Sequence, residues 1–283
     1  MSVTLQNTNS TTAAASDEAI LATFEALAIA AGRAIMEVYN SEIEVTDKAD
    51  ATPVTLADKA SERVILAGLR AAYPGVPCVA EEEVAEGIVP PDLGQAFFVV
   101  DPLDGTKEFV KRRTDFTVNI ALVRDGAPVV GVVYAPATGR FFAGRPGHAE
   151  AFDIVEGKAP VRHRIHVREG RQPLTIVASR SHLTPETEAF IKKVSAAEIV
   201  SVGSSLKFCL VASGEADLYP RFGRTMEWDT AAGDAVLRAA GGTTHTLDGA
   251  PLTYGKRNQA EDADFANPHF VSSGRIVDPA FRF

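Results

Sequence analysis

The chain has 283 residues, of which 46% are hydrophobic and 23% charged, the balance of a soluble globular protein with apolar side chains enough for one large domain or two of modest size. Collagen-like, solenoid and wholly disordered architectures are excluded. Against 28 Lys and Arg stand 37 Asp and Glu, a net charge of −9, which disfavours a nucleic-acid backbone as partner and admits a small anionic substrate only where a metal ion or a local basic cluster supplies positive charge.

The first sixteen residues, MSVTLQNTNSTTAAAS, lack a basic start and an apolar stretch, and read as a frayed tail rather than a secretory signal or an anchor. Ser16 with Asp17 and Glu18 marks a helix start, and Ile20, Phe24, Leu27, Ala31, Ile35 and Val38 recur at helical spacing to about Asn40. Residues 43–46 read as a strand. Thr55 is placed to cap a second helix whose apolar face carries Ala60, Val64, Leu66 or Ala67, and Leu69, closing at Tyr73-Pro74-Gly75. A short strand follows at 77–80, and the apolar run 97–100 ends in Asp101-Pro102, as a buried strand stopping at a polar edge does. From 117 to 165 the pattern becomes a β-meander, with turns at Asp125-Gly126, Thr138-Gly139 and Pro146-Gly147.

A charged, Pro-containing stretch from Arg168 to Pro173 marks a boundary near residue 170, dividing an N-terminal α+β half (17–170) from a C-terminal α/β half (171–283). The second half opens with a strand at 174–178. It then holds one helix after Pro185, one beginning near Ser204, and one beginning near Asp229 with Ala232, Val236 and Ala239 on one side. Cys78 and Cys209 lie among apolar residues in no C-x-x-C spacing and read as buried free thiols of a reducing compartment. No window reaches the roughly 20 apolar residues of a spanning helix. The expected location is the cytoplasm, with peripheral association with the inner membrane left open.

The densest chemical signal is Asp101-Pro102-Leu103-Asp104-Gly105-Thr106, where a tight turn aims two carboxylates at one point, an arrangement suited to Mg²⁺. Taken alone, an Asp-x-x-Asp-Gly string is equally a surface turn. Two further acidic sites change the balance: Glu81-Glu82-Glu83 directly after a strand, and Asp229 in Trp228-Asp229-Thr230-Ala231-Ala232-Gly233 at the mouth of a small-residue helix, where it doubles as an N-cap.

DPLDGT, VAEEE and WDTAAGDAVLRAAGG resemble, in order and spacing, the signature set of the lithium-sensitive, magnesium-dependent inositol monophosphatase superfamily. DGTKEF, the run from Gly203 to Gly233 and SRSH at residues 179–182 are similar to its 3′(2′),5′-bisphosphate nucleotidase (CysQ) branch. The resemblance extends from about residue 20 to the C-terminus and implies a layered αβαβα sandwich with the active site between its halves. It implies that Glu81, Asp101 and the Leu103 carbonyl bind one Mg²⁺ and that Asp101, Asp104 and Asp229 bind a second, with two or three ions in all. Thr106 and Asp58, the acid of the V-T-x-x-D string, would orient the attacking water. The family places Ser or Gly where Ala80 stands, so Glu82 is the alternative to Glu81. Asp104, Gly105, Thr106, Lys107, His182, Ser204, Lys207 and Asp229 would line the substrate site.

Converging carboxylates would repel one another and raise their pKa values unless cations neutralise them. Gly203-Ser204-Ser205 before a helix offers N–H groups and hydroxyls to an anion, although Ser204 also reads as a plain cap and His182 as a loop histidine. Lys107, Lys111, Arg112 and Arg113 form a cationic run past the acidic turn, with Arg221, Arg224, Lys256 and Arg257 elsewhere; some of these should answer a second phosphate.

Other chemistries are excluded by position. The D-x-D-G-T of haloacid dehalogenase phosphatases would need its nucleophilic aspartate where Pro102 stands. Ser204-x-x-Lys207 has no accompanying K-T-G, Gly255-Lys256 lacks the earlier glycine of a P-loop, and no H-E-x-x-H or paired Cys/His spacing is present. The expected activity is Mg²⁺-dependent hydrolysis of the 3′-phosphate of adenosine 3′,5′-bisphosphate to AMP and phosphate. The alternatives are action on inositol phosphates or fructose 1,6-bisphosphate, or a non-catalytic metal or nucleotide sensor; monomer and homodimer both stay open.

Overall fold

Alternation along the strands decides the layering. The computed structural model describes residues 15–41, 53–170, 173–178, 184–194 and 198–276. A seven-stranded sheet runs in the order β1 (Cys78–Ala80), β2 (Ala96–Asp104), β3 (Thr117–Arg124), β4 (Ala127–Ala135), β5 (Arg140–Arg145), β6 (His148–Asp153) and β7 (His163–Arg164), with β1 parallel to β2 and every later pair antiparallel. One set of its residues, including Phe98, Val100, Ile120, Leu122, Val132 and Phe141, packs beneath two helices, α1 (Asp17–Asn40) and α2 (Pro53–Ala72). The alternate set, including Phe97, Val99, Ala121, Val133 and Phe142, faces the other way.

That second face packs on α6 (Leu206–Ala212) and α7 (Ala231–Ala239), the filling of the molecule. On their far side lies a five-stranded sheet in the order β10 (Glu198–Ser201), β9 (Thr175–Ala178), β11 (Leu218–Arg221), β13 (Phe270–Ser273), β12 (Thr243–Thr246). Its outer face holds α5 (Pro185–Lys193) through Ile176, Leu218, Val271 and Ile191. Helix, sheet, helix, sheet, helix is the αβαβα order. Two short helices, α3 (Glu81–Ala85) and α4 (Thr106–Val110), follow β1 and β2, and β8 (Glu169–Gly170) pairs in parallel with β14 (Arg275–Ile276). Close approach of α6 and α7 requires Gly233, where a Cβ would lie 2.7 Å from the Phe208 ring.

Several expectations change. α1 is capped as read, with Ser16 Oγ accepting from Ala19 N–H. Contrary to the expectation that no segment reaches spanning length, α1 has the 24 residues and the hydropathy to do so. Its apolar stripe, Ile20, Phe24, Ala28, Ala31 and Ile35, is instead spent in the core against α2 and the sheet. α2 is already helical at Pro53, so Thr55 lies inside its first turn and is no cap. Its buried face is Ala57, Asp58, Ser61, Glu62, Ile65, Leu66 and Leu69, about one residue out of phase with the apolar reading because three polar side chains belong to the inner face. Ala60 and Val64 are half-buried and Ala67 is exposed. The strand expected at 43–46, the N-terminal tail to residue 14 and His182 lie outside the described residues. Cys78 and Cys209 are buried and unbridged.

Candidate active site

The acidic turn is not a turn at the end of β2 but a bulge within it. The register with β3 shifts between Asp101 and Asp104, and the strand continues to Asp104. Pro102, which cannot donate to the ladder, sits in the bulge, where proline is tolerated. Its carbonyl accepts from Ser61 Oγ of α2 at 2.8 Å, and Asp101 Oδ1 accepts from Leu103 N–H at 3.0 Å. Gly105 then turns the chain into α4 at φ 92°, and a Cβ there would stand 3.1 Å from the Phe116 Cα.

β1 and β2 run parallel with Ala80 opposite Val100, so Glu81 and Asp101 leave the same sheet edge side by side. Their carboxyls interact directly, and Asp101 restrains the rise in the Glu81 pKa. The three adjacent glutamates have separate employments. Glu62 of α2 accepts from the N–H groups of Glu82 at 2.9 Å and Glu83 at 3.1 Å, pinning the start of α3. Glu83 pairs with Arg70 at 2.7 Å, which leaves Glu81 as the one facing Asp101, Asp104 and Asp229.

Asp229 arrives from the second half. The N-cap of α7 is Thr230, not Asp229; Asp229 Oδ2 instead accepts from Met226 N–H at 2.7 Å, which folds the preceding loop around it. The loop is backed by Glu227, fully buried, which accepts from the N–H groups of Gly255 and Lys256 and pairs with Lys256 Nζ at 2.7 Å. Carboxylate oxygens of Asp101, Asp104 and Asp229 lie within 4.8 Å of one another.

Burial is the first cause of every shift in this group. It drives Asp101 well above the ordinary carboxylate range, aided by Glu81, Asp104 and Asp229, and raises Glu81 to about 8 and Asp229 to about 7. Asp104 is raised too, restrained by Lys207 and by hydrogen bonds from Ser205. Asp58 is pushed up to about 8 by burial and by Glu81, Glu82 and Glu62, and its Oδ1 has no hydrogen-bond partner. Oxygen donors set this close, Asp101 buried and Glu81, Asp104 and Asp229 half-buried, and repelling one another, fit a hard divalent cation such as Mg²⁺.

A cleft of about 250 Å³ opens beside the acids, lined by Asp104, Gly105, Thr106, Lys107 and Asp229 together with Ser204, Lys207, Tyr219 and Arg221. Seven of the eight substrate-site residues anticipated from the sequence therefore meet there; the eighth is His182. Ser204 has φ 52°, and the N-cap of α6 is Ser205. Lys207 is buried, donates from Nζ to the Ser204 carbonyl and lies 5.5 Å from the Tyr219 ring centroid. Burial lowers it to about 8, opposed by Asp104 and reinforced by Arg221.

Of the scattered cations, Arg221 and Lys107 line the cleft and four others are engaged elsewhere: Arg224 with Asp262, Lys256 with Glu227, Arg257 with the Pro90 carbonyl, and Arg112 over the Tyr39 ring. Sequence reasoning missed Tyr219 and Thr225, and named Arg221 among the cations that could answer a second phosphate without singling it out. The string Leu218-Tyr219-Pro220-Arg221 carries no signal of a cleft until β11 is set beside α6.

The sequence profile described as the inositol monophosphatase family matches residues 16–273. The chain is 46% identical over 246 residues to the 3′(2′),5′-bisphosphate nucleotidase CysQ of Escherichia coli strain K12, covering 86% of this chain and 95% of that protein. It is 40% identical over 249 residues to the protein of the same name from Buchnera aphidicola, covering 87% and 91%. Among solved structures, CysQ from Bacteroides thetaiotaomicron, described as a bacterial member of the inositol monophosphatase family, superimposes with a TM-score of 0.76 at 34% identity over 95% of this chain and 99% of that one.

Proposed function

The chain belongs to the inositol monophosphatase family, and from that premise we propose that it is a metal-dependent 3′(2′),5′-bisphosphate nucleotidase, releasing the 3′-phosphate of adenosine 3′,5′-bisphosphate to leave AMP. The observation that carries the reading is the cleft's two unlike walls: a largely half-buried carboxylate cluster drawn from Glu81, Asp101, Asp104 and Asp229, and, beside it, the cations Lys207 and Arg221.

Glu81, Asp101, Asp104 and Asp229, with the Leu103 carbonyl, would hold the metal ions, in a two-ion or three-ion arrangement. Bound there, Mg²⁺ supplies charge neutralisation of phosphoryl oxygens and a lowered pKa for water. The chain's own part is positioning. Thr106, exposed at the cleft on the first turn of α4, would orient the attacking water through its hydroxyl, and Asp58 on α2, which packs against α4, has an unpartnered oxygen with which it would accept the Thr106 proton during turnover. Lys207 and Arg221 answer the phosphate that is not cleaved. The Ser204 carbonyl fixes the Lys207 ammonium, so its charge is aimed before substrate arrives. No covalent phosphoenzyme is required. The same reading places the enzyme in the cytoplasm, where its two buried thiols stay reduced.

Phosphate release measured on adenosine 3′,5′-bisphosphate, inositol 1-phosphate and fructose 1,6-bisphosphate, with and without Mg²⁺, tests the proposal. The nucleotide should give the highest kcat/KM and activity should vanish without metal. A higher kcat/KM on either sugar phosphate would reassign the substrate, and metal binding without phosphate release from any of them would make the protein a sensor.

A further inference from the structure

β3 carries two buried polar side chains in a stretch, 117–123, that is otherwise apolar. Val118, Ile120 and Leu122 are fully buried and aliphatic, yet Thr117 and Asn119, two apart and so on one face, are 0% and 1% exposed. The register with β2 sets them opposite the site acids, Asn119 across from Asp101 and Thr117 across from Asp104. Thr117 Oγ1 is 2.8 Å from Ser204 Oγ, and Asn119 Nδ2 donates to Ser205 Oγ at 3.0 Å. Asn119 Oδ1 has no partner. A buried amide left half-satisfied is a cost that an aliphatic residue would avoid, so the reason for Asn119 lies in the bond it donates.

That bond controls a hydroxyl with one proton. Ser205 Oγ reaches Asp104 Oδ2 at 3.1 Å and the Asp229 carbonyl at 2.8 Å, which joins the end of β2 to the loop before α7. A serine hydroxyl has one hydrogen and two acceptor lone pairs. With Asn119 donating into a lone pair, the hydrogen is turned toward Asp104 and Asp229; without it, the hydroxyl can rotate and release both. One oxygen atom therefore spans two acidic segments that arrive from different halves of the chain.

We propose that Asn119, acting through Ser205, is a positioning residue that holds Asp104 and Asp229 at the separation a divalent cation requires. This rests on the reading of those two aspartates as metal ligands. Groups that orient a ligand from behind are worth about 10- to 100-fold in metal affinity.

The test uses terbium, a hard cation whose luminescence is sensitised by a nearby indole; the sole tryptophan, Trp228, adjoins Asp229 in the chain. Wild-type protein, without substrate, should bind Tb³⁺ and Asp104→Asn should not. Asn119→Ala and Ser205→Ala should each weaken Tb³⁺ by about tenfold and raise the Mg²⁺ needed for half-maximal activity by a similar factor. KM for the bisphosphate at saturating Mg²⁺ should stay within about twofold, because Lys207 is held by Ser204 and not by this bond. Ser205→Thr, which keeps the hydroxyl, should restore the affinity. Unchanged Tb³⁺ affinity in a folded Asn119→Ala protein, with only a lower Tm, would overturn the proposal and leave Asn119 a packing residue. Should that variant not fold, Ser205→Ala, which leaves β3 intact, is judged by the same criterion. A wild-type protein that binds no Tb³⁺ would instead sink the ligand assignment itself.

Discussion

Among the acids of the cleft, burial raises Glu81, Asp101, Asp104 and Asp229, and repulsion from neighbouring carboxylates adds to it at Glu81, Asp101 and Asp229. On the α6 side, burial lowers Lys207, whose ammonium is nonetheless fastened to the Ser204 carbonyl and faces the Tyr219 ring. The first wall is incomplete by charge, being like-signed groups that the fold holds together at a cost until a cation arrives. The second holds its cations by hydrogen bonds to backbone carbonyls, Lys207 to Ser204 and Arg221 to Arg224, and presents their charge ready-made. Metal dependence and substrate choice are thus built into opposite walls, and changes to each should show up in different kinetic constants.

The largest effect is expected from the acid wall. Asp104→Asn removes the carboxylate charge while keeping its shape, and kcat should fall by several orders of magnitude with added Mg²⁺ giving little recovery. Near-normal turnover would break the division between the walls.

Lys207→Ala should act on the other constant. A charged hydrogen bond of about 1.5 to 3 kcal/mol corresponds to roughly a 10- to 100-fold rise in KM for the bisphosphate. A simple monophosphate should lose far less, and an equal loss on both substrates would remove Lys207 from recognition of the second phosphate.

The acid wall also predicts a pH response of the metal-free protein. Carboxyls whose folded pKa is raised contribute stability that is complete below their ordinary values of 4.5 for Glu81 and 3.8 for Asp229, and that is lost as pH climbs to about 8 and about 7. Asp58, raised to about 8, adds in the same direction. In the presence of a chelator, Tm should therefore fall between about pH 4 and pH 8, and Mg²⁺ at pH 8 should recover roughly 5 °C or more. A chelated protein as stable at pH 8 as at pH 5 would show that the acids do not repel as their spacing requires.

What could be read in the sequence follows the same division. The acids announce themselves because they sit in contiguous strings at strand ends, where residue type, order and spacing are all visible. Glu81, Asp101, Asp104 and Asp229 needed only the parallel β1–β2 pairing and the Met226 turn to converge. The cationic wall was half legible: Ser204 and Lys207 share one helix start, but Arg221 reads as one more solvated charge until the five-stranded sheet places β11 behind α6. Asn119 was invisible for another reason. In Thr-Val-Asn-Ile-Ala it is a single polar residue in an apolar run, and its meaning is a cross-strand register with Asp101 that no local pattern encodes. The phase of α2 was misread because Asp58, Ser61 and Glu62 occupy its buried face to serve the site, against the rule that polar residues face outward.

The smallest effects are expected at Glu82 and Glu83, and their contrast with Glu81 is the sharpest test of register. Three identical side chains differ only in what surrounds them. Glu81 faces the other acids, whereas the neighbouring residues give their backbone N–H groups to Glu62, and the Glu83 carboxylate is taken up by the half-exposed Arg70 guanidinium. Glu81→Gln should reduce kcat by orders of magnitude, because it withdraws charge from the metal side of the cleft. Glu82→Gln should change kcat severalfold at most: its backbone anchors α3, and amide replacement leaves that backbone untouched. Glu83→Gln should leave kcat within about twofold and cost no more than about 1 kcal/mol of stability, the range of a pair partly open to solvent. A larger loss at Glu82 than at Glu81 would move the ligand one residue along, and α3 would then have to start differently from the helix that Glu62 pins in place.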